Sequence, residues 1–232
     1  MMMPMLGLDW TMIILFPAIL LAMWAQARVK NAFATYSRVH SRSGLTAREA
    51  ARRILDSYGL SGVPIRQVPG QLTDHYDPRD RSLSLSEPVY DSTSIAAIGV
   101  AAHEVGHAVQ HATGYAPLQI RNAVVPLLSL SSSAAMPLFF IGLLSASNTL
   151  MNIGILLFVG VLAFHLITLP VEFDASNRAL KVLATNGMMT QDEVGGARKV
   201  LNAAAMTYVS ATLMAALQLV RLLALRNSRS RD

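Results

Sequence analysis

The sequence AAHEVGHAVQH, at residues 101–111, decides how the rest of the chain is interpreted. On an α-helix, residues four apart lie about one turn apart along the axis and about 40° apart in rotation, so His103 and His107 can reach one ion together. Glu104 follows the first histidine directly, where its carboxylate can take a proton from a water on that ion without being a ligand. The preceding residues 94–100 are small and apolar. The stretch therefore predicts a buried helix with a metal site on one face.

The pattern H-E-x-x-H is the signature of zinc hydrolases, although it also occurs in unrelated helices. The alternative is that His103, His107 and His111 form one polar stripe on a packed helix that binds no metal. Burying two imidazoles and a carboxylate without a metal would cost several kcal/mol of desolvation, which favours the metal site. The chain has no cysteine, so His, Asp or Glu must supply the ligands.

The composition indicates an integral membrane protein. Of 232 residues, 53% are hydrophobic and only 14% are charged, which is unusual for a soluble domain. The formal net charge of +5 could indicate nucleic-acid binding, but the Arg and Lys residues lie mostly beside apolar stretches and are not interleaved with aromatic residues. The lipid bilayer, and not nucleic acid, is therefore the expected partner.

The first apolar stretch, residues 10–27, predicts a transmembrane helix, because Trp10 and Trp24 lie near its ends and indole rings favour the membrane interface. A cleaved signal peptide is the alternative, since residues 25–27 resemble a cleavage site. No Lys or Arg precedes the run, whereas basic residues follow it at Arg28, Lys30, Arg38 and Arg42. By the positive-inside rule, the N-terminus would face out and the next segment would face the cytoplasm.

A short helix and a small sheet are expected before the metal helix. Thr46, with Glu49 three residues later, predicts a capping box for an amphipathic helix that ends at Gly59. Residues 63–68 predict a strand, and residues 71–86 predict a hairpin that turns at Asp77-Pro78-Arg79-Asp80. For the metal helix itself, the candidate N-cap residues are Asp91 and Ser92.

Two later apolar stretches also predict membrane segments. Residues 122–171 contain no Asp, Glu, Lys or Arg, which is long enough for two crossings of about 20 residues each. We expect a helical hairpin with arms at 124–144 and 150–169, joined by the uncharged connection 145–149. Residues 201–220 are ambiguous, because a crossing there would place the basic residues beyond them outside, against the positive-inside rule. A helix that lies against the other segments would avoid this conflict.

Charged residues return between the hairpin and the last apolar stretch. Thr190 and Glu193 predict a second capping box, for a helix through Lys199. His165, within the second arm, is interpreted as a packed residue and not as a proton relay. We therefore expect a mainly α integral membrane protein, with transmembrane helices and a small α+β zincin-like cytoplasmic domain that carries the H-E-x-x-H helix. Its expected parts are an N-terminal transmembrane helix (1–27), the zincin-like part (28–121), the transmembrane hairpin (122–171), a cytoplasmic helical part (172–200) and a C-terminal apolar helix with a basic tail (201–232).

A catalytic zinc ion usually takes three protein ligands and a water, so one further ligand is needed. His111 has rotated about 80° around the helix from His103, so a site made of three histidines on one helix would be strained. Glu172 is the first charge after the apolar hairpin. It could open a helix that faces the metal helix and complete a His₂Glu site. Asp174 would then lie outside the ligand set and orient a ligand imidazole. Spacing alone leaves both alternatives open.

Several motifs together resemble the bacterial YugP-type membrane zinc metallopeptidases. The likeness covers nearly the whole chain from Tyr36 to Leu223, and the chain is more distantly similar to the HtpX and Ste24 gluzincins, which also insert membrane helices between H-E-x-x-H and a ligand Glu. The motifs are HEVGHAVQH at 103–111, LTDHYDP at 72–78, LPVEFDAS at 169–176 and KVLNAAA at 199–205.

The resemblance implies a set of site residues and a cofactor. His103, His107 and Glu172 would be ligands of Zn²⁺, and Glu104 would be the general base. In the wider group an Asp follows the ligand Glu by four residues, whereas Ser176 holds that position here. Asp174 is the expected substitute.

The expected function is that of a zinc endopeptidase that crosses the inner membrane several times. Its site is expected to face the cytoplasm, and its substrates are expected to be polypeptides in or near the bilayer. His75 and Tyr76 are candidate substrate or oxyanion contacts, because the wider family binds substrate as an added strand there. An equally favoured alternative is that His75 and Tyr76 stabilise the hairpin and do not contact substrate.

Two alternative functions belong to other classes. A non-enzymatic membrane scaffold or assembly factor could keep a structural metal site, but such a site has no need of Glu104. An ion or metal transporter is less favoured, because few polar residues line the apolar segments.

Overall fold

The computed structural model describes residues 10–229, so the parts of the expected N-terminal helix and basic tail at residues 1–9 and 230–232 lie outside the described residues. The chain is mainly helical, with 75% of residues in helices, three long apolar helices and a small three-stranded sheet. A 3₁₀ segment, Trp10–Leu15, precedes the first α-helix. The helices are α1 Phe16–Tyr36, α2 Ala47–Ser57, α3 Glu87–Tyr90, α4 Ile95–Ala112, α5 Ala116–Leu144, α6 Asn148–Thr185 and α7 Gln191–Arg229, and the strands are β1 Ile65–Val68, β2 His75–Asp77 and β3 Ser82–Ser86.

Helix α2 has the cap that its sequence predicts. The Thr46 side chain accepts from the Glu49 backbone N–H, and the Glu49 carboxylate accepts from the Thr46 N–H at 2.9 Å. These two bonds satisfy donors that the first turn of a helix leaves without partners. The buried face consists of Ala47, Ala50, Ala51, Ile54 and Leu55. Gly59, at a φ of +72°, follows the helix in the left-handed conformation that glycine adopts freely.

The predicted hairpin is present as β2 and β3, with the turn between Asp77 and Ser82. The sheet order is β1-β3-β2, in which β1 pairs parallel and β2 pairs antiparallel with the central strand β3. Asp74 fixes the base of the hairpin, because its two carboxylate oxygens accept from the backbone N–H and the hydroxyl of Ser86, each at 2.8 Å. Strand β2 therefore lies at an edge of the sheet in a fixed register.

The predicted N-cap of the metal helix was wrong. Ser94 caps α4, and its side chain accepts from the Ala97 backbone N–H at 3.2 Å. Asp91 and Ser92 do not cap α4 because residues Glu87–Tyr90 form the separate short helix α3, and Asp91 follows that helix as its C-cap residue. Most of α4 is buried, as its small apolar residues predict.

One predicted helix boundary was also wrong. Glu172 does not open a helix, since α6 continues from Asn148 through Pro170 to Thr185. Proline removes one backbone hydrogen bond, but a long helix tolerates this loss where tertiary packing holds the next turn, and Val171 and Ala175 are fully buried. The helix predicted through Lys199 is present in α7, which continues beyond it to Arg229 because no Gly or Pro follows Lys199 to end the helix.

Helix α7 begins at the capping box that its sequence predicts. The Thr190 backbone N–H donates to the Glu193 carboxylate at 2.7 Å, and the Glu193 N–H donates to the Thr190 hydroxyl at 3.4 Å. The same carboxylate accepts from the Arg42 backbone N–H at 2.6 Å. Glu193 thus joins the start of α7 to the segment that follows α1.

Three of the described helices are long and apolar enough to cross a membrane, namely Thr11–Tyr36, Asn148–Thr185 and Gln191–Arg229. The ambiguous stretch 201–220 lies within the last of them, and the second arm of the expected hairpin lies within the Asn148–Thr185 helix. The expected first arm lies in α5, where the apolar helix found among the described residues, Ser133–Leu144, is shorter.

The chain divides into two compact units. The first comprises the described parts of Met1–Ala25 and Thr207–Asp232 together with Ile120–Leu169, and the second comprises Gln26–Gln119 and Pro170–Met206. Within the first unit, small residues permit close helix contacts: a Cβ on Gly154 would lie 2.8 Å from the Ala135 carbonyl oxygen. His165 is half-buried there, with its ring edge against Phe164. The second unit contains the sheet, α4 and the part of α6 that begins at Pro170.

Candidate metal centre

The second unit brings together one carboxylate and two imidazoles from α4 and α6. The ligand atoms that His103, His107 and Glu172 can offer all lie within 4.8 Å of one another. The Glu172 Oε2 atom is 3.3 Å from the Nε2 of His103 and 3.7 Å from the Nε2 of His107. Glu172 is only 4% exposed and His107 only 7% exposed. The helix spacing of the histidines therefore places both imidazoles on one face, and α6 supplies the third group.

The other nitrogen of each imidazole is held by a side chain nearby. His103 Nδ1 lies 3.1 Å from the Ser176 hydroxyl, and His107 Nδ1 lies 3.0 Å from the Gln110 amide oxygen. Ser176 is on α6, one turn after Glu172, and Gln110 is on α4, almost one turn after His107. Both Nε2 atoms are therefore directed towards the Glu172 carboxylate.

This donor set fits a zinc ion. Zinc prefers imidazole nitrogen and carboxylate oxygen in the absence of cysteine, and a catalytic site holds it by three protein ligands. Each imidazole also has a hydrogen-bonding partner on its Nδ1, which is the usual arrangement for a histidine that binds metal through Nε2. His103, His107 and Glu172 are thus the residues that could hold the ion.

Glu104 lies beside this group without belonging to it. Its Oε2 accepts a hydrogen bond from the Tyr76 backbone N–H at 3.1 Å. Burial raises the pKa of the Glu104 carboxyl, because the loss of surrounding water disfavours its charged form. A carboxylate with a raised pKa accepts protons more readily near neutral pH than one in open solvent.

The remaining predicted site residues lie around the hairpin. The Tyr76 hydroxyl is 2.9 Å from His111 Nδ1, and the two rings meet edge to face at 5.9 Å. His111 is outside the group of possible ligand atoms found among the described residues. His75 is exposed, with its Nδ1 2.8 Å from the Thr73 carbonyl oxygen.

Asp174 does not contact an imidazole directly. Its Oδ2 accepts from the Gln110 side-chain amide at 2.8 Å and from the Arg178 guanidinium. No site role was predicted for Gln110 or Ser176, although helix spacing carried a signal for both. Gln110 follows His107 by three residues and Ser176 follows Glu172 by four, so each shares a helix face with a candidate ligand.

The two helices that carry the candidate ligands touch at Gly106. A Cβ at this position would lie 2.7 Å from the Ala175 carbonyl oxygen and 3.1 Å from its Cα, which is too close for any side chain. Ala175 is three residues after Glu172 on α6. The distance between the histidines and Glu172 therefore depends on a glycine between them.

Replacing Gly106 with alanine should push α6 away from α4. We expect a loss of about 1–3 kcal/mol in the free energy of unfolding, as for other overpacked sites, together with weaker zinc binding. The matched control is Gly195→Ala in α7, where nothing lies within 4 Å of the added Cβ, and a gain of about 0.4–1 kcal/mol is expected. Thermal unfolding and zinc titration of both variants in detergent would measure the difference. Equal behaviour of the two variants would contradict the close approach.

The described residues combine three helices long and apolar enough to cross a membrane with a His–His–Glu group that could hold a metal ion. The chain belongs to the family described as "Putative neutral zinc metallopeptidase", whose model matches residues 11–227. It is 49% identical over 201 residues to the "Putative membrane protease YugP" of Bacillus subtilis (strain 168), an alignment that covers 87% of this chain and 89% of that protein. No solved structure matches the chain.

Proposed function

We propose that this protein is a membrane-embedded, zinc-dependent endopeptidase of the gluzincin type, in which the second unit is the zincin-like catalytic part. The observation that carries the proposal is the convergence of His103, His107 and Glu172, with the Glu104 carboxylate close enough to interact electrostatically with all three. Membership of a zinc metallopeptidase family supports it. So does the likeness to a protein named as a membrane protease.

The residues of the site would divide the work between binding and proton transfer. His103, His107 and Glu172 would hold a zinc ion, and a zinc ion bound there would supply a water of lowered pKa and polarise a carbonyl group. Glu104 accepts a proton at its carboxylate and returns it to the amine that leaves when the peptide bond breaks. Its raised pKa suits both steps, because the protonated form must also be accessible.

Strand β2 is the proposed binding edge for the substrate backbone. It is an edge strand, and the Tyr76 N–H points away from β3, towards Glu104. An extended polypeptide added beside β2 would lie next to the general base. Tyr76 would contact this substrate through its backbone carbonyl, since its N–H is bonded to Glu104 and its hydroxyl to His111. His75 is the second candidate contact, and it is exposed.

The test is proteolysis by the purified full-length protein in detergent, with unfolded casein as substrate. Casein should be cleaved by the zinc-loaded protein, and removing the metal with a chelator should abolish cleavage. Adding back stoichiometric zinc should restore it. Cleavage that survives complete removal of the metal would contradict the proposal, and so would a zinc-loaded protein that cleaves neither casein nor membrane proteins.

The alternative is a membrane scaffold with a structural metal site. One observation favours this alternative. The Tyr76 N–H donates a hydrogen bond to Glu104, so this carboxylate has a structural role in holding the hairpin against α4. A scaffold of this kind would bind zinc and cleave nothing, whichever residue occupies position 104.

We place the second unit on the cytoplasmic side of the inner membrane, with several helices crossing the bilayer. The support is the basic cluster that follows the first apolar stretch. The five sequence segments expected as separate parts remain a proposal about how the chain alternates between membrane and cytoplasm.

Labelling of single cysteines should test this topology in a chain that has no cysteine of its own. Cysteines at the exposed positions Ser43 and Gln191 should resist impermeant thiol reagents in whole cells and react after permeabilisation. A cysteine at Ser147, in the connection between α5 and α6, should react in whole cells. Labelling at positions 43 and 191 without permeabilisation would invert the topology.

A further inference from the structure

Gln110 is fully buried beside the candidate metal centre, and every polar atom of its side chain is engaged. Its amide nitrogen donates to the Val171 carbonyl oxygen and to the Asp174 carboxylate, each at 2.8 Å. Its amide oxygen lies 3.0 Å from His107 Nδ1. We propose that Gln110 is a positioning residue that fixes the tautomer of His107 and ties this histidine to the turn of α6 that carries Glu172. The inference rests on the proposed zinc site.

The tautomer follows from which atoms can donate. A carbonyl oxygen and an ionised carboxylate only accept hydrogen bonds, so the two contacts with Val171 and Asp174 require the NH₂ group of Gln110 on their side. The amide oxygen then faces His107 and can only accept. Nδ1 of His107 must therefore carry the proton, and in the neutral imidazole Nε2 is left with a lone pair. That lone pair faces Glu172, where a metal ligand is needed.

His103 is not constrained in the same way. Its Nδ1 partner is the hydroxyl of Ser176, which can donate or accept. The hydroxyl therefore accommodates either neutral tautomer of His103. Among the two imidazoles, the protein dictates the lone-pair position only for His107.

Gln110 also joins the two ligand-bearing helices. Val171 and Asp174, its partners on α6, lie on either side of Glu172 in the sequence. Asp174 is itself held by Arg178, whose guanidinium lies over the Tyr115 ring at 5.7 Å. The Gln110 amide thus holds the turn around Glu172 in a fixed position relative to His107. Asp174 acts on His107 through this amide.

The experiment compares zinc affinity in four variants, measured by competition with a chelator on full-length protein in detergent. Gln110→Met keeps the length of the side chain but removes its hydrogen bonds, and Ser176→Ala is the comparison at the other imidazole. Gln110→Glu keeps an acceptor for His107 but places a second carboxylate against Asp174. In Gln110→Glu/Asp174→Asn, the total charge is that of the wild type, and the amide at position 174 can donate to the carboxylate at position 110.

We expect Gln110→Met to bind zinc about 10- to 100-fold more weakly than wild type, and Ser176→Ala to lose clearly less. Gln110→Glu should also bind weakly, and the double variant should recover most of the lost affinity. A purely packing role would not produce this recovery. The visible spectrum of the Co²⁺-loaded proteins gives a second measure, since a turned imidazole changes the coordination geometry.

Wild-type affinity in Gln110→Met would overturn the inference, as would an equal or larger loss in Ser176→Ala. If Gln110→Met fails to fold, the double variant Gln110→Glu/Asp174→Asn decides the question. If this double variant binds zinc no more tightly than Gln110→Glu, the inference is overturned. Failure of the wild type to bind zinc would instead remove the proposed function, and the inference with it. The melting temperatures of the metal-free variants report packing separately from metal binding.

Discussion

Replacing Glu104 with glutamine should leave zinc bound and lower kcat on the order of 10²- to 10⁴-fold, because the proton acceptor is lost while all three candidate ligands remain. The amide oxygen of the new side chain can still accept from the Tyr76 N–H, so the hairpin should stay in place. The substitution therefore separates chemistry from structure. Zinc content and casein cleavage would be measured on the same preparation.

Two companion variants serve as controls for the Glu104 experiment. His103→Ala and His107→Ala should each lose both the metal and the activity, since each removes an imidazole next to Glu172. If Glu104→Gln also loses its metal, the assignment of Glu104 as a general base that does not bind the metal is wrong. If it retains both metal and full activity, the proposed mechanism is wrong.

Replacing Glu172 with alanine should strongly weaken zinc binding and abolish turnover. The carboxylate is the only candidate ligand that α6 supplies to the group found among the described residues, and two imidazoles alone make a weak site. Zinc affinity should be measured by chelator competition, together with casein cleavage. A metal-free but folded Glu172→Ala protein would be the expected product.

His111→Ala and Asp174→Ala are the matched controls for the Glu172 variant. Both should retain zinc, because His111 contacts Tyr76 and Asp174 reaches His107 only through Gln110. Asp174→Ala should lower the activity or the zinc affinity about 10- to 100-fold, as substitutions of residues that surround metal ligands do. Should His111→Ala strip the metal while Glu172→Ala keeps it, the site would be built from three histidines on one helix.

Local signals predicted the parts of the fold that depend on neighbouring residues. The capping boxes at Thr46 and Thr190 and the turn after Asp77 are confirmed, because each depends on side chains within a few residues. The spacing of His103 and His107 likewise predicted that both imidazoles would share one face. Helix periodicity suffices for such contacts.

The errors arose where distant contacts decide the outcome. Glu172 was expected to open a helix after Pro170, but burial of the following turn carries α6 through the proline. The role of Gln110 depends on Val171 and Asp174, which are separated from it in sequence by the whole apolar hairpin. No local pattern around residue 110 reports those partners. Its position on the same helix face as His107 was the only available signal.

Strand β2 is three residues long and lies at the edge of its sheet, with the Tyr76 N–H turned away from β3. A polypeptide that pairs with this edge must offer extended backbone whose own N–H and C=O groups are not already bonded. Segments inside a native helix or sheet have already used those groups. The proposed peptidase would therefore distinguish substrates by their folding state before it reads any side chain, and an intact neighbouring protein would be spared until part of it unravels.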